Sequence, residues 1–479
     1  MGPVPPPEAP PPVPAPPPPL PLIVGPVPPP EAPPVPPEPV EPEIPVPEKE
    51  TAIDILTRVY ALLEEGDYEG ALALFDLLEG EDAQNSPTLL LKASILCSSG
   101  DLTAAGGIVN DILALEPENT RALLILATLQ GAQGKEREQK ATLERIITLD
   151  PENIGALIDL GNIAIRGQTK STTAAASFFD QALAREPENL EALLGRAGVY
   201  RYARNPQNAE ELLNRGLKLY PDEAALWSER GRLYRETGFL IQALADLDTA
   251  RDLDGDDYWI AIDRGMVLLD LNRKQPALEE FTRAQDLDPD YFLSYVYTAG
   301  IKDETGDYAG AEADYQTLIN LRPDYYFAQE GLGMLKIRGR QWEEARNAFI
   351  QAYNHAPNEW SYAVLAMMCW RRMDQPGNIR DFANLVLRKL SRDSLEYAMV
   401  RLYLDMSGDD GVARRVNQEK DLGLKSRMLY YLANYYDIKG ITRLADAMLS
   451  DIMNYEQRMT VPEWRLIMWA LEERNLAIF

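Results

Sequence analysis

Very few residues of this chain could carry out acid–base or metal chemistry. The single histidine, His355, cannot by itself form a catalytic triad or a histidine metal site. Cys97 and Cys369 do not form a Cys-x-x-Cys motif, and the glycines lack the spacing of a phosphate-binding loop. The acidic pair Asp256-Asp257 lacks the alternating ligands of a calcium loop. The sequence therefore predicts no enzymatic activity, no metal site and no cofactor.

The remaining chemistry is binding, and a regular spacing of prolines indicates which elements would position the binding residues. Successive prolines lie 34 residues apart, with one gap of 36 residues and one place taken by Gly255. The series consists of Pro117, Pro151, Pro187, Pro221, Pro289, Pro323 and Pro357. A fixed period of this length is typical of a solenoid, in which one supersecondary unit is stacked on the next.

Other positions repeat in phase with the prolines. Several units contain a Gly-Asp turn, as at Gly66-Asp67, Gly100-Asp101 and Gly306-Asp307, where the glycine can end one helix and the aspartate can cap the next. Small residues recur in the second half of the unit at Ala71, Ala105, Ala175, Ala209, Ala243, Ala277, Ala311, Ala345 and Ala445. A matching small residue recurs in the first half at Ala93, Ala127, Gly161, Ala197, Gly231, Gly265, Ala299 and Gly333. Each unit is therefore predicted to be two antiparallel helices that approach closely.

These positions resemble the tetratricopeptide repeat (TPR) family. The resemblance is strong over residues 52 to 360, weakens after Pro357 and excludes the first 50 residues. It implies an all-α, right-handed TPR superhelical solenoid of about ten to twelve helix-turn-helix units. We expect a proline-rich arm at 1–50, well-matched repeats at 51–360, and diverged repeats with a C-terminal capping helix at 361–479.

In a stack of this kind the first helix of each unit lines the concave side, so the register predicts which side chains face a groove. They occupy the second, fifth, sixth, ninth, twelfth and thirteenth positions of a unit. The predicted partner-binding residues are Asp159, Asn162, Arg201, Glu229, Arg232, Arg235, Trp259, Asp263, Met266, Tyr297, Phe327, Met334 and Met368. The resemblance implies that their ligand is a protein or a peptide.

The types of these residues leave two kinds of contact open. The arginines could pair with an acidic segment of a partner, since isolated cations stand out in an acidic chain. The aromatic residues that begin the later units could pack each first helix on its neighbour, or could anchor an extended peptide. The lysine and asparagine clamp with which some TPR proteins hold a C-terminal carboxylate is missing from these positions.

Composition limits the choice of partner. The formal net charge of −28 repels nucleic acid and anionic lipid, so neither is expected as a partner. The sequence has no apolar run of 18 or more residues, which predicts no insertion into a membrane. The pattern does not indicate an oligomeric state.

The first 50 residues contain 25 of the 37 prolines, which favours an extended, disordered arm in a polyproline II conformation. The arm has no arginine or lysine before Lys49, so we interpret it as a spacer and not as a ligand for a polyproline-binding domain. The segment Gly2 to Pro11 recurs letter for letter from Gly25 to Pro34, which suggests a longer repetitive arm upstream. The sequence does not fix the location: we expect the cytoplasm for the sequence as written, and the periplasm or envelope if the true N-terminus lies upstream.

The function predicted from these observations is a non-enzymatic scaffold that binds a protein or peptide in the groove of the solenoid. One alternative is a component of cell-envelope assembly, tethered by an N-terminal anchor that is missing from this chain. A second alternative is a subunit that recruits substrates for a separate enzyme.

Overall fold

The computed structural model describes residues 50–166, 171–375, 377, 379–455 and 461–476. These residues form α-helices joined by short turns, without a β-strand in any of the described ranges. The proline-rich arm lies outside the described residues, so its expected polyproline II conformation stays a prediction. The helices group into an N-terminal unit that ends at Thr237 and a C-terminal unit that begins at Gly238. The sequence boundary expected near residue 360 therefore stays a prediction about the quality of the repeats.

In its described residues, the N-terminal unit consists of twelve helices and one short 3-10 turn at Phe75–Leu77. The helices are α1 (Ala52–Glu64), α2 (Tyr68–Leu74), α3 (Gly80–Gln84), α4 (Ser86–Ser98), α5 (Leu102–Leu115), α6 (Thr120–Ala132), α7 (Glu136–Leu149), α8 (Ile154–Arg166), α9 (Thr172–Arg185), α10 (Leu190–Tyr202), α11 (Pro206–Leu219) and α12 (Ala224–Glu236). The 36-residue gap between Pro151 and Pro187 contains α8, α9 and their connection, and residues 167–170 of that connection are outside the described part of the chain.

The C-terminal unit consists of fourteen helices in its described part. They are α13 (Leu240–Leu253), α14 (Tyr258–Asp270), α15 (Lys274–Leu287), α16 (Phe292–Thr305), α17 (Tyr308–Leu321), α18 (Tyr326–Arg338), α19 (Trp342–His355), α20 (Trp360–Arg372), α21 (Ile379–Leu387), α22 (Leu395–Asp405), α23 (Asp409–Gln418), α24 (Leu422–Ile438), α25 (Thr442–Ile452) and α26 (Trp464–Glu473).

The helices pack in consecutive pairs, as the repeat predicts. Five pairs lie in the N-terminal unit, from α1 with α2 to α10 with α11, and six lie in the C-terminal unit, from α14 with α15 to α24 with α25. These eleven pairs agree with the expected ten to twelve units. Consecutive first helices also contact each other directly, as α4 does with α6 and α10 with α12. We call the surface formed by the first helices of all the repeats in the N-terminal unit, or in the C-terminal unit, the first-helix face of that unit.

The turns have the chemistry that the sequence indicates. Gly306 ends α16 with φ 91°, a left-handed conformation that glycine adopts without steric strain. The next residue, Asp307, caps α17 by accepting a hydrogen bond of 3.0 Å from the backbone N–H of Gly310. Asp67 and Asp101 cap α2 and α5 in the same way. The predicted helix-turn-helix boundaries are therefore confirmed at these turns.

Small residues allow the two helices of a pair to approach, also as predicted. At Gly265 in α14, an added Cβ would lie 2.6 Å from the ring of Phe281 in α15, a side chain that is fully buried. At Gly333 in α18, an added Cβ would lie 2.8 Å from the ring of Phe349 in α19. The aromatic ring of each second helix thus packs into the space that a missing side chain leaves, which fixes the spacing within the pair.

Candidate functional site

The predicted polar residues of the N-terminal unit lie on three neighbouring first helices. All of them are half-buried except one glutamate, which is only 8% exposed. Asp159 and Asn162 lie in α8, Arg201 lies in α10, and Glu229, Arg232 and Arg235 lie in α12. These side chains lie on consecutive first helices, and the expectation that they face a partner stays a prediction.

The arginines of this face are not isolated, which corrects the expectation that they await an acidic partner. Nε of Arg201 donates to Oε1 of Glu229 at 2.8 Å, and its Nη1 donates to Glu236 at 2.5 Å. Nη1 of Arg232 donates to the second oxygen of Glu229 at 3.2 Å. Burial alone would raise the pKa of Glu229, but the two arginines outweigh it and hold the pKa below its ordinary value. These cations stabilise a buried carboxylate of the protein itself.

A second carboxylate on the same face is in the opposite situation. Burial raises the pKa of Asp159 to about 6, and repulsion from Glu191 of α10 adds to this rise. Arg166 at the end of α8 lowers the pKa in part. Burial also raises the pKa of Glu191. This part of the face therefore carries carboxylates whose negative charge is incompletely compensated.

Two predicted groove residues of the C-terminal unit are buried, and the prediction that they face a partner is wrong. Met334 in α18 and Met368 in α20 are each 1% exposed and belong to the largest hydrophobic core cluster. Every residue of α20 from Trp360 to Trp370 is buried, because α19, α21, α22 and α24 pack around this helix. A ninth-position side chain at this place contacts the core and not a ligand.

The other predicted residues of the C-terminal unit are half-buried and mostly aromatic. The rings of Trp259 and Tyr291 are 5.3 Å apart, edge to face, and Tyr297 stacks on Phe281 at 4.4 Å. Phe327 packs against the rings of Tyr325 and Tyr326. Asp263 and Met266 lie in α14. The contacts of the rings favour the packing interpretation, in which each first helix is fixed on its neighbour.

The first-helix face of the C-terminal unit holds a segment of the same chain. The segment Val461–Leu476 contains α26, and its residues Leu466, Ile467 and Leu471 are buried in the core cluster. Before the helix, Glu463 is fully buried. A helix, α26, is present in the region where a capping helix was expected, and it contacts both α25 and the much earlier helix α18. Its role as a cap of the stack stays a prediction.

Two charged contacts of opposite polarity hold this segment on the face. Nε of Arg427 in α24 donates to Glu463 at 2.9 Å, and the hydroxyl of Tyr431 donates to the same carboxylate at 2.5 Å. At the other contact, Arg465 of the segment pairs with Asp303 of α16. Asp303 is 6% exposed and also accepts a hydrogen bond of 2.9 Å from the hydroxyl of Tyr315.

Aromatic and cationic side chains extend this interface. The ring of Trp469 lies edge-on to Tyr308 at 5.8 Å, and the guanidinium of Arg338 lies 4.8 Å from the Trp469 ring. Arg338 is also 4.2 Å from the ring of Tyr308, so the cation contacts both aromatic faces. The segment is therefore held by apolar burial, ion pairs and cation–π contacts together.

Glu330 of α18 is an acidic group beside this segment. Burial raises the pKa of Glu330 to about 7, and the charge of Glu463 adds to the rise. A hydrogen bond of 2.8 Å from the hydroxyl of Tyr362 and the charge of Arg465 lower the pKa in part. Proton uptake at Glu330 near neutral pH therefore relieves repulsion between two carboxylates at this contact.

The residues that hold α26 were not predicted from the sequence, although the repeat register includes several of them. Asp303 is at the twelfth position of its unit, Glu330 at the fifth and Arg338 at the thirteenth. A charged residue at each of these positions was therefore a usable signal. Glu463 and Arg465 lie outside the repeat, where the period gives no information about their contacts.

Neither a metal site nor a membrane-spanning helix is found among the described residues. No group of three or more histidine, cysteine, aspartate or glutamate side chains in these ranges is placed to hold a metal ion. In the same ranges, no helix has both the length and the apolar character needed to cross a lipid bilayer.

Comparison with known families identifies the repeat. A family model described as tetratricopeptide repeat matches residues 62–129 and 168–233. Another model with the same description matches residues 228–292. Superkiller complex protein 3 of Homo sapiens is 36% identical to this chain over 107 residues. That alignment covers 22% of this chain and 7% of the human protein, so the similarity concerns a small part of that relative.

Two solved structures are similar to this chain at low sequence identity. A tetratricopeptide repeat protein from Parabacteroides merdae is 20% identical, with a TM-score of 0.44 over 52% of this chain and 98% of its own. A monomeric variant of IFIT1 with Gppp-AAAA is 16% identical, with a TM-score of 0.46 over 84% of this chain and 89% of its own.

Proposed function

This chain is a tetratricopeptide repeat protein, and from that premise we propose that it holds a protein or peptide partner on the first-helix face of its N-terminal unit. Repeats of this family act as protein-interaction scaffolds, because a stack of helix pairs offers a long continuous surface. The proposed role is non-enzymatic. The first-helix face of the N-terminal unit is formed by α4, α6, α8, α10 and α12.

The observation that carries the proposal is the position of α26 on the first-helix face of the C-terminal unit. There a helix and the residues before it are held by buried apolar side chains and by charged pairs at both of its contacts. A first-helix face of this protein can therefore hold a polypeptide segment with the mixture of contacts found at protein interfaces. We infer that the corresponding face of the N-terminal unit does the same for a partner.

The C-terminal unit is a poorer candidate for the partner, since its own segment already contacts the first helices α16, α18 and α24. Residues Val461, Leu466, Ile467 and Leu471 are each at most 3% exposed, so exchange of this segment would expose a substantial apolar surface. The N-terminal unit presents half-buried polar groups such as Asp159 and Asn162 on the corresponding helices. Polar groups at partly buried positions are typical of sites that orient a ligand.

A site-specific photo-cross-linking experiment tests this proposal. A photoreactive amino acid at Asn162 on the first-helix face should give covalent adducts with partner protein in cells that express the chain. The same amino acid at Gln181, an exposed position on the second helix α9, is the matched control and should give few adducts.

Mass spectrometry of the adducts decides the outcome. Adducts that form at Asn162 and recur with one protein or one peptide region support the first-helix face as the interface. Adducts that form equally at Gln181, or only there, would place the interface on the other side of the unit and contradict the proposal.

A further inference from the structure

Two repeats of the N-terminal unit have a carboxylate at the same position of the repeat. Only one of these carboxylates is paired with arginine side chains. Glu229 is the sixth residue of its unit and is paired with Arg201, which lies 28 residues earlier, and with Arg232, which lies three residues later. Both arginines come from the first-helix face. This arrangement shows where guanidinium groups lie around a sixth-position carboxylate.

Asp159 is the sixth residue of its own repeat, and the two residues equivalent to Arg201 and Arg232 are uncharged here. The residue 28 positions earlier is Gly131, and the residue three positions later is Asn162. Within the described ranges, no hydrogen bond or ion pair reaches the carboxylate of Asp159, and Arg166 acts on it only through its field. Its electrostatic neighbour Glu191 adds a second negative charge.

The C-terminal unit shows independently how such a carboxylate is satisfied by a segment that lies across the face. Asp303, a twelfth-position residue of α16, receives the guanidinium of Arg465 from the segment that contains α26. The cation is supplied by chain that does not belong to the helix pair, from a residue 162 positions away. An arginine from a bound segment is therefore an arrangement that this fold already uses.

We propose that Asp159, together with Glu191, receives an arginine or lysine side chain of the protein segment that binds the first-helix face. The cation takes the place that Arg201 occupies beside Glu229, and it lies over α6, α8 and α10. This inference rests on the proposed function, since it names the chemistry of the partner for the same face. It also reverses the charge expected from the sequence, because the partner segment is cationic and not acidic.

Three features of the face support a cation over a neutral group. A guanidinium or ammonium restores the charge balance that burial and Glu191 disturb at Asp159. A Cβ added at Gly131 would lie 2.7 Å from Nε2 of Gln139, so the side chain beside this glycine is a neutral amide and not a cation. Hydrogen bonds that involve an ionised group are also stronger than neutral ones, so a partner gains most by presenting a charge here.

Selection of peptides on the full-length chain tests the inference even while the partner is unidentified. A phage-displayed library of random 12-residue peptides is selected on the wild-type protein, and the enriched peptides are then synthesised. We expect them to share an arginine or lysine, and we expect replacement of that residue by citrulline or glutamine to weaken binding about tenfold or more.

Variants of the protein identify the site. Asp159→Asn removes the carboxylate, and Asn162→Arg supplies an internal cation at the place that Arg232 has beside Glu229. Both variants should weaken the enriched peptides about tenfold or more. Asp111→Asn, at an exposed position of the second helix α5, makes the same change of net charge and should leave the dissociation constant within about twofold.

The outcomes separate this inference from the proposed function. Enriched peptides without a shared cation, or peptides that bind Asp159→Asn as well as the wild type, would refute the cation site. If those peptides still suppress cross-linking of the partner through a photoreactive amino acid at Asn162, the face binds peptides and only the predicted cation is wrong. If no peptide is enriched, or none competes there, the face is not a peptide site and both proposals fall.

Discussion

Replacing Asp159 by asparagine should raise the free energy of unfolding of the N-terminal unit at neutral pH. The native environment raises the pKa of Asp159 from an ordinary value of 3.8 to about 6, mainly because the group is buried and secondly because Glu191 repels it. An acid whose pKa is raised in the folded state opposes folding when it is ionised. Asparagine keeps the size of the side chain and removes the charge.

The size of the effect follows from the shift. About 2.2 pKa units at 1.36 kcal/mol each give a gain of about 3 kcal/mol at pH 7.5, as an upper value. The sign follows from proton linkage. The penalty is complete above pH 6, decreases as the pH falls toward 3.8, and is about half as large at pH 5. The comparison should stop near pH 5, because the chain has a pI of about 4.5.

The assay is hydrogen exchange of the α8 and α10 amides, combined with urea unfolding followed by circular dichroism, at pH 7.5 and pH 5. Asp111→Asn is the control for net charge and should change the free energy of unfolding by less than about 0.5 kcal/mol. Glu229→Gln should have the opposite sign, because this carboxylate stabilises the fold through Arg201 and Arg232. If Asp159→Asn destabilises the unit, or gains the same amount at both pH values, the carboxylate is not strained and the reasoning fails.

Two further perturbations test the packing of the C-terminal unit. Gly265→Ala should lower the thermal midpoint, with a cost of about 1–3 kcal/mol from its contact with the Phe281 ring, whereas Gly300→Ala, which has open space around it, should be neutral or slightly stabilising. A loss of stability that is equal in both variants would argue against a close helix approach. Arg465→Met should leave the buried Asp303 without its cation and cost about 3–5 kcal/mol, measured by urea unfolding, with α26 amides exchanging faster. Unchanged exchange in α26 would mean that the ion pair does not hold the segment.

Much of the fold could be predicted from the sequence because the repeat reports local geometry many times. The Gly306-Asp307 turn contains both a residue that tolerates a left-handed conformation and a cap for the next helix, and its structure follows from those two properties. The close approach at Gly265 follows likewise from a small residue opposite a large one. Each of these predictions involves residues within one unit or its neighbour.

The candidate site was predicted less completely, because the repeat register gives the face of the helix on which a side chain lies but not its exposure to solvent. The register placed Met334 and Met368 correctly on their helices, but it could not show that other helices would cover them. It also treated Arg201 as a free cation. The 28-residue spacing between Arg201 and Glu229 joins the twelfth position of one repeat to the sixth position of the next, so this pair could have been found by comparing charges across adjacent repeats.

The position of α26 could not be predicted from periodicity at all. Residues after the last repeat have no period, and their contacts depend on the three-dimensional path of the chain. The pairing of Arg465 with Asp303 joins residues 162 positions apart. A pattern that describes neighbours does not contain this contact.

That long-range pairing gives the C-terminal unit a folding behaviour different from that of a simple array. Where every helix pair touches only its sequence neighbours, order can spread stepwise from any starting point. Here a loop of more than a hundred and sixty residues must close before Asp303 is neutralised, and closing it costs chain entropy that nearest-neighbour contacts do not. Unfolding of the C-terminal end of this unit therefore also removes a contact of α16 in its middle. We expect partially unfolded states to be less populated here than in an array that has nearest-neighbour contacts alone.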